Sequence, residues 1–254
     1  MSKIRLLTFN IAHGRGLSLY QGFHSERGIR KNLAAIARLL RDSGADIVAL
    51  QEVDERSHWN KALNLARLIQ EEAGYAHAEL GVNNRRDGAK PLAYGNAILS
   101  RFPVHYWDNQ PFGEATLGEK GFLYAEVELG GQALPVINLH LDFSSRKRRI
   151  LQVERVVAYL RERTGSSLAP IICGDFNSRS KPVNDAVQHL FHTILDYGDY
   201  TIYPAGQRTF PAHWPRKGID FVFVPRLYTV CEHRVLKSYL SDHLPVLVEL
   251  EMPG

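Results

Sequence analysis

Short apolar segments of strand length recur along this chain, and only a few helical stretches separate them. The strand-like segments are 4–12, 47–53, 75–80, 94–102, 123–129, 134–142, 169–173, 218–224, 228–236 and 244–252. A sheet buries a hydrophobic face only against another layer, so strands this numerous and apolar need partners on both sides. The pattern therefore favours two sheets packed face to face.

Helical periodicity marks the longer stretches between these strands. They span 25–46, 58–73, 147–163 and 182–196. In the first stretch Ile29, Leu33 and Leu40 repeat at helical spacing, and Gly44 stands where a helix would stop. Strands and helices alternate in a similar order in each half of the chain. This order predicts two similar halves with the helices on the outside.

The chain has 254 residues, of which 44% are hydrophobic, and this is enough for a large core. Glycine and proline are spread along it, and no low-complexity run separates two parts. We therefore expect one α/β (α+β) domain over residues 1–254. The formal net charge of +4 favours anionic partners only weakly.

No apolar run approaches the roughly 20 residues that a membrane-spanning helix needs. The first residues, MSKIRLLTFNIAHG, lack the apolar stretch and the small-residue cleavage site of a signal peptide. We therefore expect a cytoplasmic protein without a transmembrane segment.

The two cysteines, Cys173 and Cys231, exclude a disulfide framework and a cysteine-rich zinc site. Both lie in apolar runs, so we expect buried free thiols. The histidines show no HExxH pattern, and no GxSxG, GxxxxGK[ST] or GxGxxG motif occurs. These absences argue against a zinc hydrolase, a serine nucleophile and a nucleotide-cradling loop.

Polar residues repeatedly stand where an apolar strand ends or begins. They are Asn10, Glu52, His140, Asp175, Asn177, Asp242 and His243, and Asp220 lies within the strand-like segment GIDFVF. Each one taken singly is an ordinary turn or loop residue. Asp220 is the exception, because a charge buried in an apolar strand is costly unless it is paired. Their recurrence predicts that several strands deliver polar groups to one place.

The segment IICGDFN shows the pattern most clearly. Asp175 and Asn177 are two residues apart, and alternate side chains of a strand point to the same face. Carboxylates with amides suit hard, oxygen-ligated cations such as Mg²⁺ or Mn²⁺. Histidine beside carboxylate suits proton transfer or an oriented phosphate contact. Together these groups favour metal-assisted phosphoryl chemistry.

A family resemblance makes this interpretation specific. The motifs TFNI, LQEV, GNAILSR, NLHL, GDFN, IDFVFV and SDHLPV follow one another in this order. In this the chain resembles the endonuclease/exonuclease/phosphatase superfamily, and most closely its short bacterial members, over residues 4–250. The resemblance implies the fold of deoxyribonuclease I, a four-layer α/β/β/α sandwich in which two mixed sheets pack together between helices.

The resemblance also implies roles for the strand-end residues. Metal binding falls to Glu52, with Asn10 beside it and Asp242 nearby, and Mg²⁺ or Mn²⁺ is the expected cofactor. Catalysis and phosphate contact fall to Asp175, Asn177, His140, His243 and Asp220, with Asn96 as a supporting residue that orients His140. Within this set Asp175 would orient or deprotonate water, and Asp220 would orient His243. Either Asp175 or His243 is the base.

The loops next to these residues are basic and carry aromatic side chains. We expect a substrate rim made of Arg15, Arg146, Arg148, Arg216 and Trp214. Such a rim attracts polyanions, and its aromatic residue can stack on bases or lie among lipid headgroups. The expected partner is therefore a phosphate ester, with nucleic acid and lipid headgroup both open.

Subfamily motifs narrow the activity only in part. The first strand continues NIAHGRG, unlike abasic-site nucleases, and HWPRKGIDFVFV lacks the Cys-Asp-Arg that precedes this strand in inositol-polyphosphate phosphatases. The sequence thus predicts a metal-dependent hydrolase of a phosphate ester, most simply a phosphodiesterase. A phosphomonoesterase on the same scaffold and a non-catalytic anion-binding module remain the alternatives.

Overall fold

A computed structural model of the chain describes residues 3–18, 20, 22–113, 118–163, 168–179 and 185–252. The strands are β1 (Lys3–Asn10), β2 (Ile47–Asp54), β3 (His77–Arg86), β4 (Leu92–Ser100), β5 (Val104–Pro111), β6 (Gly121–Leu129), β7 (Gln132–His140), β8 (Ile171–Asp175), β9 (Tyr200–Tyr203), β10 (Asp220–Pro225), β11 (Thr229–Val235) and β12 (Val246–Glu251). The helices are α1 (Glu26–Ser43), α2 (Leu65–Ala73), α3 (Arg146–Glu162) and α4 (Ala186–Thr193).

The described strands form two six-stranded sheets with matching connectivity. Their orders are β11-β12-β1-β2-β4-β3 and β5-β6-β7-β8-β10-β9. In each sheet one central pair is parallel, β1 with β2 and β7 with β8, and the chain crosses between the two strands through a helix. The other neighbouring strands pair antiparallel. The expectation of two similar halves is confirmed.

Apolar side chains divide the interior into three cores, and these define four layers. One core lies between the first sheet and helices α1 and α2, and another lies between the second sheet and helices α3 and α4. The third core lies between the two sheets, where residues such as Ile98 and Val136 meet. The expected α/β/β/α sandwich is therefore confirmed.

The crossover helices bring the ends of the parallel strands to one edge of the molecule. Helix α1 starts at Ser25, whose hydroxyl accepts the backbone N–H of Gly28 at 3.1 Å, and it stops at Gly44. Helix α3 starts at Ser145, which accepts the N–H of Arg148. Because each helix returns the chain to a parallel strand, the strand end Asn10 lies beside Gln51 of β2, and the strand ends His140 and Asp175 lie side by side.

Two strands have no counterpart among the sequence expectations. β5 is an edge strand in which every residue is exposed or only partly buried, so it lacks the alternating apolar pattern. β9 has only four residues and is also at an edge. Short or exposed edge strands carry little hydrophobic signal, and periodicity does not find them.

Two expected helices are shorter than predicted. The stretch 58–73 divides into a 3-10 turn at His58–Asn60 and helix α2, because Lys61 and Ala62 adopt positive φ angles of 57°. The stretch 182–196 contains α4 followed by a 3-10 turn at Ile194–Tyr197. Residues 182–184 lie outside the described part of the chain.

The expectation for the cysteines is half wrong. Cys173 is a buried free thiol in the centre of β8, as predicted, whereas Cys231 is free and exposed. Cys231 is exposed because β11 is the edge strand of its sheet, and most of its residues face solvent. Across the described ranges, every helix is too short or too polar to cross a bilayer.

Candidate active site

The strand ends of both sheets surround one cleft of about 440 Å³. Seven of the residues singled out from the sequence as strand-end groups line it, namely Asn10, Glu52, His140, Asp175, Asn177, Asp242 and His243. The remaining lining residues are Arg15, Lys120, Phe143, Phe210, Lys217 and Ile219. Asp220 lies behind His243 and is 1% exposed. Residues from distant parts of the sequence thus meet at one site.

Asp175 occupies the centre of this cluster. Its Oδ2 atom accepts a hydrogen bond from Asn10 Nδ2 at 3.0 Å, and its Oδ1 atom accepts the backbone N–H of Asn177 at 2.9 Å. His140 Nε2 and His243 Nε2 lie 3.3 and 3.7 Å from Oδ2. One carboxylate is therefore held by two amides and faces two imidazoles.

Local backbone geometry fixes the position of Asp175. The preceding Gly174 has a φ of 137°, and a Cβ atom there would lie 1.9 Å from the carbonyl oxygen of Leu139, so only glycine fits. Asn177 adopts a φ of 48° and lies beyond the end of β8. The two side chains reach one site through this turn, and not through strand alternation as the sequence spacing suggested.

His243 and Asp220 form a buried pair next to Asp175. His243 Nδ1 lies 3.0 and 3.1 Å from the two oxygens of Asp220. Burial alone would lower the pKa of His243, but the carboxylates of Asp220 and Asp175 outweigh it and raise the pKa. Burial in turn raises the pKa of Asp175, although the charge on His243 opposes this effect. The pair therefore places a proton donor beside a carboxylate that holds a proton readily.

His140 is the uncharged imidazole of the site. Burial, and then the positive charge of Lys120, lower its pKa well below the usual value. Lys120 Nζ lies 3.3 Å from Nδ1 and can only donate, which makes Nδ1 an acceptor. The Nε2 atom then carries the proton and faces Asp175. Asn177 Nδ2 lies 3.3 Å from the same nitrogen and donates to the Leu141 carbonyl.

Glu52 faces Asp175 from the first sheet, and a β-bulge aims it into the cleft. The pairing of β2 with β4 shifts register between Gln51 and Val53, and Glu52 adopts a φ of 56°. A bulge inserts an extra residue and redirects its side chain. Positive φ in a residue other than glycine costs on the order of 1–3 kcal/mol and is typical of functional sites.

A buried histidine supports Glu52. His13 Nε2 lies 3.4 Å from Glu52 Oε2, and His13 Nδ1 lies 2.8 Å from Asp54 Oδ2. Asp54 is also held by the indole N–H of Trp59 at 2.9 Å and by Asn60. Opposing charges keep the pKa of His13 above its usual value, although burial alone would lower it.

Positive charges around Glu52 keep it ionised. Lys120 Nζ lies 3.5 Å from Glu52 Oε1, opposite the contact with His13. Burial would raise the pKa of Glu52, but His13 and Lys120 outweigh it and hold the pKa well below its usual range. These contacts favour the anionic form of the carboxylate.

The donor set around Glu52 fits a hard divalent cation. Neither Glu52 oxygen accepts a hydrogen bond from a described residue, and its side chain is 19% exposed on the cleft wall. Asn10 keeps a free lone pair on Oδ1, whose other partner is the N–H of Ala12. Asp242 adds a carboxylate, which Arg15 now contacts at 2.9 Å. Carboxylate and amide oxygens are the ligands that Mg²⁺ and Mn²⁺ prefer.

A second group with metal-binding composition lies in the same cleft. Asp175, Asp220 and His243 each place one donor atom within 4.8 Å of the others. These atoms already satisfy one another, however, since His243 Nδ1 bonds to Asp220 and a protonated imidazole has no lone pair for a metal. The chemistry of the donors therefore favours Glu52, Asn10 and Asp242 as the cation site.

Asn96 does not hold the role that the sequence suggested for it. Its Nδ2 donates to the backbone carbonyls of Gly121 and Asn138, at 3.0 and 3.2 Å, and not to His140. Because Asn96 belongs to the first sheet and both carbonyls belong to the second, it ties the two sheets together behind the cleft. Its support for His140 is indirect, through the strands β6 and β7.

The expected rim residues lie at different distances from the cleft. Arg15 lines it and contacts Asp242. Arg216 stacks over Trp214 at 5.5 Å, next to the cleft residue Lys217. Arg146 and Arg148 are exposed on the first turn of α3. Of the five, only Arg15 is part of the cleft lining.

Sequence reasoning missed several groups of the site. His13 lies in a short 3-10 helix and Lys120 lies just before β6, where no periodic signal marks them, and Phe143 lies in a loop. A weak signal existed for two of them. His13 follows the strand end Asn10 closely, and Lys120 immediately precedes Gly121, the first residue of β6, which pairs with His140.

Comparison with protein families identifies the class of the chain. The model of the Endonuclease/Exonuclease/phosphatase family matches residues 7–243. Among curated proteins the chain is similar to the uncharacterized protein YbhP of Escherichia coli, with 25% identity over 164 residues. That match covers 63% of this chain and 63% of YbhP, less than two thirds of either.

Solved structures with the same fold extend the comparison to the full length. An endonuclease/exonuclease/phosphatase from Bacteroides vulgatus aligns with 99% of this chain and all of its own, at 18% identity and a TM-score of 0.74. A mannosyl-6-phosphatase of Bacteroides thetaiotaomicron is 19% identical, aligns with 98% of this chain and 100% of its own, and has a TM-score of 0.73. Sphingomyelinase C of Streptomyces griseocarneus is 20% identical, aligns with 98% of this chain and 99% of its own, and has a TM-score of 0.68. The fold is therefore shared with these proteins, and the chain belongs to the endonuclease/exonuclease/phosphatase family.

Proposed function

We propose that this protein is a divalent-metal-dependent hydrolase that cleaves a phosphodiester by in-line attack of water. The observation that carries the proposal is the pair of opposed carboxylates in one cleft. Glu52 favours its anionic form on the cleft wall, with His13 and Lys120 as ion-pair partners, whereas Asp175 is buried among two amides and two imidazoles. One suits a cation and the other suits a proton.

In the proposed mechanism Asp175 accepts the proton of the attacking water. Its orientation is fixed by Asn10 and by the backbone N–H of Asn177, so the acceptor needs no rearrangement. His243 carries its proton on Nε2 towards the cleft, because Asp220 accepts from Nδ1. It donates to a phosphoryl oxygen, or to the leaving oxygen.

The remaining groups bind the phosphate. His140 Nε2–H and the side-chain amide of Asn177 lie at the same wall and donate to phosphoryl oxygens. Lys120 and Arg15 line the cleft and offset the negative charge of the substrate. A divalent cation held by Glu52, Asn10 and Asp242 supplies Lewis-acid stabilisation of a phosphoryl oxygen when it is bound.

The same groups serve a phosphomonoester, which is the second candidate. Fold neighbours carry both kinds of name, a mannosyl-6-phosphatase and a sphingomyelinase C. The exposed aromatic and basic side chains near the cleft, such as Phe143 and Trp214, favour a substrate larger than a free phosphate group. Nucleic acid and phospholipid are the candidate diesters.

A hydrolysis panel tests the proposal. Bis(p-nitrophenyl) phosphate, p-nitrophenyl phosphate, plasmid DNA, RNA and phospholipid vesicles are each incubated with Mg²⁺, with Mn²⁺ and with EDTA. The catalytic variant is Asp175→Asn, and the matched control is Asp199→Asn. Asp199 is exposed and precedes β9 at the end of the second sheet that lies away from Asp220.

The proposal predicts metal-dependent cleavage of at least one diester in the wild type and in Asp199→Asn. It predicts a loss of at least ~10²-fold in Asp175→Asn, as is typical when one acid–base group is removed. Cleavage of p-nitrophenyl phosphate alone would transfer the assignment to a phosphomonoesterase. Undiminished cleavage in EDTA, or in Asp175→Asn, would overturn the mechanism.

A further inference from the structure

A second cavity of about 550 Å³ lies beside the catalytic cleft. Two segments form it, 206–215 and 235–244, and we name it the lateral pocket. The residues that give it its character are Arg208, His213, Val235, Lys237, Tyr239 and Leu244. None of them belongs to the catalytic groups described above.

The lateral pocket and the catalytic cleft share one wall. In the segment 207–218, Phe210 and Lys217 pair with each other and face the cleft, whereas Arg208 and His213 face the pocket. Backbone hydrogen bonds fix this segment, from Leu244 N to the Thr209 carbonyl at 2.8 Å and from Ala212 N to the Asp242 carbonyl at 2.7 Å. The two cavities are therefore held at a fixed spacing.

The charge in the lateral pocket is of one sign. Arg208, Lys237 and His213 line it, and none of its described lining residues is an aspartate or a glutamate. Arg208 and Lys237 are exposed, and neither forms an ion pair or a side-chain hydrogen bond with any described residue. Unpaired cations around one concave surface attract an anion and are free to bind it.

The rest of the pocket is apolar. Val235, Leu244 and Pro215 contribute to the wall, and Tyr239 exposes 68% of its surface at the edge. Ligand sites typically combine an apolar lining with a few polar groups that fix orientation. This combination suits an anionic group attached to an apolar body, since neither a bare anion nor an uncharged hydrocarbon would use both features.

We propose that the lateral pocket binds a second anionic group of the substrate, carried on an apolar body, while the phosphate ester lies in the catalytic cleft. This inference rests on the proposed function of the cleft and adds a substrate class to it. The natural substrate then has at least two anionic groups on opposite sides of the segment 207–218. Arg208 and Lys237 contact the second group.

Non-hydrolysable ligands test this proposal without turnover. Alkane-α,ω-bisphosphonates with chains of four to ten carbons are compared with alkylphosphonates of the same length, by isothermal titration calorimetry in Mg²⁺. At the chain length that spans the shared wall, the wild type binds the bisphosphonate roughly tenfold more tightly, as one additional charge-assisted hydrogen bond provides. The affinity of the alkylphosphonates shows no comparable increase at any chain length.

Variants assign this preference to the pocket. The double variant Arg208→Ala/Lys237→Ala loses it, whereas Arg226→Ala keeps it. Arg226 is an exposed arginine that follows β10 at the end away from Asp220, so it controls for the loss of charge. All variants are compared by thermal unfolding to verify the fold. Absence of a preference at every length, or its persistence in the double variant, would overturn the inference.

Failure of this inference and failure of the proposed function give different results. The variant Asp175→Asn loses hydrolysis but keeps the bisphosphonate preference if both are correct. If hydrolysis is metal-dependent and no preference exists, only the pocket is wrong. If the preference exists and no substrate is cleaved, the pocket remains and the hydrolase assignment fails.

Discussion

The two halves of the molecule share one connectivity but end in different chemistry. Strands β1, β2 and β4 of the first sheet correspond to β7, β8 and β10 of the second. The residues of these strands that lie level with one another behind the cleft pair in the same registers, Asn10 with Gln51 with Asn96 in one half and His140 with Asp175 with Asp220 in the other. At equivalent positions the first half carries amides and the second carries titratable groups.

The first half supplies its carboxylate one residue later, at Glu52. Gln51 is buried at the position equivalent to Asp175 and donates to Thr8 and to Asn138 of the second sheet, at 3.0 and 2.7 Å. The bulge then turns Glu52 into the cleft. Asp175 therefore belongs to a residue pair of its sheet, whereas Glu52 is the unpaired residue of a bulge.

Each carboxylate has a histidine and an aspartate behind it, yet the two behave differently. The sets are Glu52 with His13 and Asp54, and Asp175 with His243 and Asp220. Burial would raise the pKa of both carboxylates. At Glu52 the positive charges of His13 and then Lys120 outweigh burial and lower the pKa, whereas at Asp175 burial, aided by the charge of Asp220, outweighs His243 and raises it. We propose that this difference in environment makes Glu52 the cation ligand and Asp175 the proton acceptor.

Removal of the metal should have the largest effect. In the proposed mechanism Glu52, His13 and Asp54 serve only to bind the cation. Chelation by EDTA should therefore lower the rate of hydrolysis by roughly 10³-fold or more, which corresponds to several kcal/mol of transition-state stabilisation. The measurement compares the initial rate of the EDTA-treated protein with its initial rate after dialysis into Mg²⁺. Activity that survives chelation would contradict the proposal that the first half binds a cation and the second half accepts a proton.

Loss of the second carboxylate should lower turnover without a change in metal affinity. For Asp175→Asn we expect kcat to fall by ~10²–10⁴-fold, because the acceptor of the water proton is lost. The Mg²⁺ concentration for half-maximal activity should remain within about threefold of the wild type, since Asp175 is not a ligand here. Titration of residual activity with Mg²⁺ tests both statements. A strong shift in that concentration would make Asp175 a metal ligand.

The two supporting aspartates offer a matched comparison. Asp54→Asn should raise the half-activating Mg²⁺ concentration by about 10–100-fold, as is typical of groups that orient a metal ligand. Asp220→Asn should instead lower kcat, by roughly 10²-fold, because His243 loses the partner that holds its proton and orientation. Both aspartates are buried, so thermal unfolding must accompany the kinetics. Identical effects in the two variants would contradict the division of roles.

The smallest effect should come from the rim, outside both sets. Arg216 is exposed and contacts Trp214, so Arg216→Ala should raise KM by no more than about fivefold, the value of one exposed charge pair. The increase should shrink at high salt, and kcat should not change. A large fall in kcat would place Arg216 in the catalytic machinery.

The fold could be predicted from the sequence because buried strands and amphipathic helices have periodic apolar patterns. Most of the site residues could be predicted because they are polar residues at the ends of apolar strands. Edge strands β5 and β9 were missed, since exposed or four-residue strands have no such pattern. His13 and Lys120 were missed because a residue outside the periodic strands and helices becomes functional only through the contacts that folding creates. Asn96 was found, but its partners are backbone carbonyls of the other sheet, which no spacing in the sequence reveals.

We propose that Glu52 binds the cation and that Asp175 accepts the proton. Binding of Mn²⁺ to the wild type, Glu52→Gln and Asp175→Asn, measured by electron paramagnetic resonance without substrate, tests it directly. We expect Asp175→Asn to bind Mn²⁺ as the wild type does, whereas Glu52→Gln should lose roughly tenfold or more in affinity. Loss of Mn²⁺ binding in Asp175→Asn with retention in Glu52→Gln would place the metal at Asp175, Asp220 and His243 and contradict this assignment of roles.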